Sequence, residues 1–226
     1  MNVTLSLWDT GGQERFDFFK TDFFKGVSVL GLVFDLSRPS TFDEIDVYFK
    51  EIREQSGNIP IFLVGNKNDL IKDIGESISK ERIMQKVNQF YLFDYIVTSA
   101  LDNENIEKLF YRFAITALMD LKPRLGEIID SNHFRFKILL AGAAAVGKSS
   151  LIRTFAKKEF EEDYKLTVGL DLMTQNLEIQ EDDIPDETQE LIRKSVKSYK
   201  KILKKYRKGE EVSEILETLK EIQKHK

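Results

Sequence analysis

The sequence predicts an α/β domain, a largely parallel sheet with helices on both faces. Three observations predict it. Short continuous apolar runs alternate with stretches of helical spacing, the pattern of strands buried on both sides. Each apolar run passes into a polar loop that carries a motif, and such folds bind ligands beyond the carboxyl ends of their strands. One of those loops, Gly142-Ala143-Ala144-Ala145-Val146-Gly147-Lys148-Ser149, has its glycines and its Lys-Ser pair at the spacing of a phosphate cradle.

The elements follow in order. Val3 to Trp8, Val29 to Phe34, Ile61 to Val64 and Tyr95 to Val97 read as the first four strands. Between them, Thr41 to Gln55, Ser79 to Phe90 and Ile106 to Leu121 read as helices, the last through Ile106, Leu109, Phe110 and Phe113. Ser40 or Thr41, and Ser79, are expected as N-caps. Lys122-Pro123-Arg124-Leu125-Gly126 is a breaker cluster, so residues 122–134 form a joining segment. Phe136 to Leu140 is the strand that enters the phosphate loop. A helix from Lys148 to about Lys157, a polar loop to Thr167 and a strand from about Leu170 to Ile179 complete the core. That last strand is expected antiparallel to Val3 to Trp8, which makes the two ends of the core neighbours.

At 226 residues with 42% hydrophobic content, the chain suffices for one well-packed domain and an appendage. It has no cysteine, which excludes disulfides, thiolate metal sites, thiol catalysis and a prenyl or palmitoyl anchor. No signal segment opens it and no apolar run reaches the roughly 20 residues of a membrane span. A cytoplasmic protein without a lipid anchor is the expectation. The net charge is −4, yet residues 187–226 hold twelve basic against seven acidic residues, leaving about −9 on the rest. That balance argues against a nucleic-acid partner.

The motifs carry the chemistry. In the phosphate loop, amides from Ala144 through Ala145, Val146 and Gly147 to Lys148 form an anion nest at a helix N-terminus. Lys148 supplies a cation to the outer phosphates, and Ser149 a hydroxyl for Mg²⁺. Asn66-Lys67-Asn68-Asp69 follows an apolar strand; a carboxylate at Asp69 accepts the N1 and N2 donors of guanine, a pair that adenine does not offer. Asp9-Thr10-Gly11-Gly12-Gln13 opens the chain, with two glycines where backbone must approach phosphate closely.

These residues resemble the Ras superfamily of small GTPases, and Leu7 to Phe16 is most similar to its Rab and Ras branches. The resemblance covers residues 2–180, and the order of the motifs is like that of circularly permuted members, cut between the second and third strands. It implies a P-loop GTPase domain over 1–180, with GTP or GDP as ligand and Mg²⁺ as cofactor. By the same resemblance, Asn66 tethers the loop and the base, Lys67 lies along the ring, and Ala100 in Thr98-Ser99-Ala100 offers its N–H to the guanine oxygen, with Ser99 and Ser150 also in the site. Thr167 falls nineteen residues after Lys148, the spacing of a switch threonine, with Phe160 and Tyr164 at matching offsets. Phe160 then covers the base edge, Tyr164 closes over the phosphates, and Thr167 contacts Mg²⁺ and the γ-phosphate. Asp9 holds Mg²⁺ through water, Gly12 donates to the γ-phosphate and Gln13 orients the attacking water, so that Gln13, Lys148 and Thr167 are the catalytic set.

The chain departs from that pattern at Gly11, where Ras proteins often have Ala, at Leu101, where Lys is common, and at Ala144, where many relatives have Gly. A methyl group at Ala144 crowds Gln13 or an incoming arginine, so slow unaided hydrolysis is expected. The resemblance implies effector, exchange-factor and GTPase-activating partners. The alternative is a nucleotide-binding scaffold with negligible turnover, whose tail recruits a partner.

Residues 185–226 change character. Leu191, Ile192, Val196, Tyr199, Ile202, Leu203 and Tyr206 follow helical spacing, Gly209 interrupts, and Val212 to Ile222 resume it, giving two amphipathic helices or one bent helix. The stretch 193–208 has nine basic and no acidic residues. It suits a solvated helix face above an apolar stripe better than a peripheral membrane contact, since the tail holds no Trp or Phe.

Overall fold

The computed structural model describes residues 1–10, 24–75, 77–119, 121, 133–157 and 170–207. They build strands β1 (Asn2–Thr10), β2 (Val27–Asp35), β3 (Ile61–Asn66), β4 (Asp94–Val97), β5 (His133–Ala141) and β6 (Leu170–Glu178). The helices are α1 (Pro39–Asp43), α2 (Ile45–Ser56), α3 (Asn68–Ile74), α4 (Lys80–Gln89), α5 (Ile106–Met119), α6 (Lys148–Lys157) and α7 (Asp186–Arg207). The six strands form one sheet in the order β4-β3-β2-β5-β1-β6. All pairs are parallel except β1 with β6, in which Leu5 faces Gln175. The fifth strand in the chain therefore lies inside the sheet, between the first and the second.

Alternation along the central strands divides the core. Val29 and Val33 of β2 join Val3, Leu5 and Leu7 of β1 on one face, beneath Phe110 and Phe113 of α5 and Leu151 and Phe155 of α6. Leu30, Leu32 and Phe34 point to the other face, where Phe42, Ile45, Ile52, Ile83 and Val87 cover them. Phe113 meets Phe62 edge-on at 5.0 Å, and Phe110 stacks on Phe155 at 4.2 Å. The predicted α/β layers are observed, helices on both faces.

Several local expectations need correction. The helix predicted from Thr41 to Gln55 is two helices, divided at Glu44. Neither Ser40 nor Thr41 caps it: Arg38 is the N-cap residue, and the Thr41 hydroxyl instead accepts the Asp35 amide at 3.0 Å and donates to the Arg38 carbonyl at 2.8 Å. Ser79 does cap α4, accepting the Arg82 amide at 3.3 Å. β5 starts at His133, two residues inside the expected joining segment, because Phe134 is itself buried against Val3.

The C-terminal helix packs on the domain. A short 3-10 turn at Glu181–Asp183 leads into α7, whose Asp186 and Glu187 favour the positive end of its dipole. Ile192 and Tyr199 are buried in the first core face with Ile184, and Val196 lies against them. The Leu121 amide donates to Ser195 Oγ at 3.0 Å, joining α7 to the end of α5. Lys194, Lys197, Lys200, Lys201 and Lys204 stay exposed, so this part of the basic run is a solvated face. Leu191, expected in the apolar stripe, is half exposed. The predicted helix beyond Gly209 lies outside the described residues.

Ile192→Ala is expected to destabilise the protein by about 2–4 kcal/mol, the range for truncating a fully packed branched side chain. Urea unfolding measures it, and a loss below about 0.5 kcal/mol would mean that α7 contributes no packing.

Candidate functional site

The phosphate loop is shaped by two close approaches of its backbone. Gly142 leaves β5 at φ 136°, and a Cβ there would stand 2.1 Å from the Val33 carbonyl oxygen. Gly147 sits at φ 95°, and a Cβ there would stand 2.3 Å from Asn66 Nδ2. Both positions therefore require glycine. Ala145 adopts the left-handed region at φ 63°, and α6 begins at Lys148 with the Leu151 amide bonded to the Gly147 carbonyl at 2.9 Å. Alternation of hand over successive residues turns consecutive amides into one concavity at a helix N-terminus.

Lys148 is 5% exposed. Its ammonium donates to the carbonyls of Gly142 and Ala143, both at 2.8 Å, holding the side chain across the mouth of its own loop. Burial lowers its pKa to about 8, against the opposing pull of Asp9. Asp9 ends the buried part of β1, is 2% exposed, and accepts a hydrogen bond from Ser149 Oγ. Thr10 Oγ1 donates to the Leu140 carbonyl at 3.0 Å, fixing the end of β1 beside β5. A hydroxyl and a buried carboxylate thus meet at the loop, a pair of oxygen donors of the kind that hard divalent cations take.

The second half of the site grows from β3. Asn66 is buried; its Nδ2 donates to the Val146 carbonyl at 2.9 Å and its Oδ1 accepts Thr98 Oγ1 at 3.1 Å. One side chain so ties the phosphate loop, the Asn66–Asp69 loop and the loop after β4. Lys67 follows at φ 66°, and its left-handed turn starts α3, a helix of seven residues that is too short to show a helical period in the sequence. Ser99, fully buried, donates to Asp69 Oδ1 at 2.5 Å and accepts the Asp102 amide at 3.0 Å, leaving the second carboxylate oxygen of Asp69 for another donor. The Asn68 amide bonds the Thr98 carbonyl at 3.1 Å. Ala100 is buried and its carbonyl accepts Thr154 Oγ1 at 3.3 Å, so α6 braces this loop as well. Ala144 and Ser150 lie half-buried on the same rim.

Two residues that the sequence reading did not single out belong to this cluster. Asp35, at the end of β2 and paired in register with Asn66, is 1% exposed. It accepts the Ser37 amide at 2.9 Å, Ser37 Oγ at 2.6 Å, Arg38 Nε at 2.9 Å and Lys67 Nζ at 2.8 Å. Burial alone works to raise its pKa, but the hydrogen bonds and charge of Lys67 and the Ser37 donors hold it below the usual carboxylate range. Arg38 reaches on to the Ala144 carbonyl at 3.0 Å. A charged residue closing an otherwise apolar strand was the available signal. Gly12, Gln13, Phe160, Tyr164 and Thr167 lie outside the described residues.

A largely parallel sheet whose strand ends carry an anion nest, a buried lysine and a carboxylate-bearing base loop defines a nucleotide-binding α/β protein. The Ras family model matches residues 1–119 and 137–189, and the chain belongs to that family. Among its relatives, Ras-related protein YPTC6 of Chlamydomonas reinhardtii is 30% identical over 149 residues, 58% of this chain and 67% of that protein. Ras-related protein Rab-8A of Bos taurus is 32% identical over 131 residues, 58% of this chain and 60% of that protein. GTP-binding protein ypt3 of Schizosaccharomyces pombe is 34% identical over 109 residues, 48% of this chain and 50% of that protein. The matched stretches span half to two thirds of these relatives.

The lowered pKa of Lys148 gives a signed expectation. Above pH 8 the buried amine is neutral, whereas a solvated lysine holds its proton to its ordinary value of 10.5. Stability therefore rises with pH between those values as the cost of burying the charge disappears. Binding of a phosphate anion reprotonates the amine, so affinity falls as pH rises through 8, by up to about tenfold per unit. Calorimetric titration with GDP in two buffers of different ionisation heat should show proton uptake at pH 8.5 that vanishes in Lys148→Met; equal heats in the wild type would contradict it.

Proposed function

We propose that this chain is a guanine-nucleotide switch that binds GDP and GTP with Mg²⁺ and hydrolyses GTP slowly when unaided. The observation that carries the reading is the Asn66 side chain, which fastens the base loop to the phosphate loop, so that Asp69 and Lys148 serve one ligand. Asp69 selects guanine because one carboxylate accepts two ring donors, and its bond from Ser99 holds the carboxylate in place. The nest amides and Lys148 receive the phosphates. Mg²⁺ fits the oxygen pair of Ser149 and Asp9, and it supplies charge neutralisation at the phosphates when bound.

The catalytic step rests on residues assigned by family resemblance: Gln13 orients water, Gly12 donates to the γ-phosphate, and Thr167 joins Mg²⁺ to the γ-phosphate so that its loss releases the loop. Ala144 places a methyl group beside that chemistry and lowers the unaided rate. Effector, exchange-factor and GTPase-activating proteins complete the cycle.

We infer further that the domain is a circular permutant of the usual chain order. The strand that feeds the phosphate loop is the fifth in the chain yet sits between β1 and β2, and the antiparallel neighbours β1 and β6 lie 160 residues apart at the pair Thr10–Leu170 and 176 apart at the pair Asn2–Glu178. The family match likewise falls in two segments, 1–119 and 137–189. On this reading the domain runs over 1–180, with α7 as the start of a C-terminal extension.

Phosphate release from GTP with Mg²⁺ tests the switch. The wild type should exceed background, and Gln13→Leu should lower the rate by about tenfold or more. Release equal in both proteins would favour a nucleotide-binding scaffold. Asp69→Asn should weaken GTP about 10- to 100-fold and favour xanthine nucleotides, whose C2 carbonyl accepts the new amide; an unchanged base preference would remove Asp69 from the base site.

A further inference from the structure

The guanidinium of Arg38 joins two features that no motif links. Its Nε donates to Asp35 Oδ2 at 2.9 Å, and its Nη2 donates to the Ala144 carbonyl at 3.0 Å, across 106 residues of chain. Both ends of that arginine are fixed. Asp35 is buried, is held by the Ser37 amide, and shares the same Oδ2 with Lys67 of the base loop. The Arg38 carbonyl accepts the Thr41 amide at 3.0 Å and the Thr41 hydroxyl at 2.8 Å. A planar fork with one arm on an immobile carboxylate has little freedom left for the other.

The carbonyl it holds belongs to the peptide between Ala144 and Ala145. In a trans peptide the N–H points opposite to the C=O, and no cis peptide occurs among the described residues. The Ala145 N–H is therefore aimed away from Arg38, on the opposite side of the loop. Ala145 also adopts φ 63°, a left-handed conformation that a residue with a Cβ takes at a cost. Arg38 opposes that cost by fixing the peptide, and its positive charge at the oxygen polarises the unit and strengthens the N–H as a donor.

We propose that Arg38 is a positioning residue for nucleotide phosphate, acting from behind the phosphate loop through the Ala144–Ala145 peptide. The inference rests on the reading that this loop cradles the phosphates of a guanine nucleotide. It gives Arg38 a different task from an arginine that reaches the γ-phosphate: Arg38 touches no phosphate and sets the direction and strength of an amide that does.

Dissociation of fluorescent GDP from the full chain tests it, in the wild type, Arg38→Ala and Arg38→Lys, with guanosine affinity by competition as the second readout. Arg38 is 43% exposed, so loss of its charged bond is expected to speed GDP release about tenfold rather than the larger factor of a fully buried pair. Guanosine, which carries no phosphate, should bind Arg38→Ala as it binds the wild type. Arg38→Lys keeps the charge beside Asp35 but lacks the second arm, and should release GDP nearly as fast as Arg38→Ala. Wild-type GDP release in the Lys variant overturns the proposal, and so does an equal loss of guanosine affinity in either variant. If Arg38→Ala does not fold, the Lys variant alone decides by the same two readouts. A wild type that binds no GDP overturns the nucleotide reading itself, whereas a wild type that binds it with unaltered Arg38 variants overturns only the role of Arg38.

Discussion

The hydrogen bond from the Asn66 amide to the Val146 carbonyl is the constraint on which the site depends. Asn66 ends β3 and Val146 follows β5, and β2 lies between those strands. Two strand spacings separate their axes by about 10 Å, too far for an asparagine to cross unaided. The loop closes the gap: at Gly142 it turns over the end of β2, within 2.1 Å of the Val33 oxygen as measured from a notional Cβ, and brings Val146 back towards β3. Gly147 then admits the Asn66 side chain, which a Cβ would meet at 2.3 Å. Each glycine of the motif thus serves the same bond. A buried amide that lost this partner would leave the carbonyl unsatisfied as well, at a cost of about 1–3 kcal/mol.

Charge around that bond is arranged in two buried carboxylates, each set against a cation from another segment. Asp9 faces Ser149 and draws on Lys148; Asp35 draws Arg38 and Lys67 together. Asp35 is held below its ordinary pKa by its donors. The lysine of the phosphate loop is in the converse position, for its own loop carbonyls solvate it without countering its charge, and burial lowers its pKa. Such an ammonium is better matched to an arriving polyanion than to the protein around it.

Much of this was legible in the sequence. The runs at Val29 to Phe34 and Ile61 to Val64, and Phe136 to Leu140 but for Lys137, are apolar because those strands are covered on both faces, and all three were placed. The phosphate loop and Asn66–Asp69 were legible because their residue types answer to chemistry rather than to packing. The break at Glu44 was not, since Phe42, Ile45, Phe49 and Ile52 keep helical spacing through it. Asp35 and Arg38 were missed because a single acid and a single arginine after an apolar run read as an ordinary turn; only the register that sets Asp35 against Asn66 gives them meaning. The tail was read as amphipathic, and Ile192 and Tyr199 supply the buried stripe, but the bond of Ser195 with the Leu121 amide, which joins α7 to the end of α5, is a contact no periodicity carries. The residues expected to respond to the γ-phosphate, Gln13, Tyr164 and Thr167 among them, lie outside the described residues, so their assignment rests on spacing and resemblance.

One cleft, closed by Asn66, is proposed to hold a guanine nucleotide. Identification of the nucleotide carried by the protein purified in Mg²⁺ without added nucleotide, followed by titration of the stripped protein with GDP and ADP, tests it most directly. GDP or GTP in stoichiometric amount is expected, with binding of GDP far tighter than of ADP. Copurified adenine nucleotide, or a stripped protein that takes up neither, would contradict it.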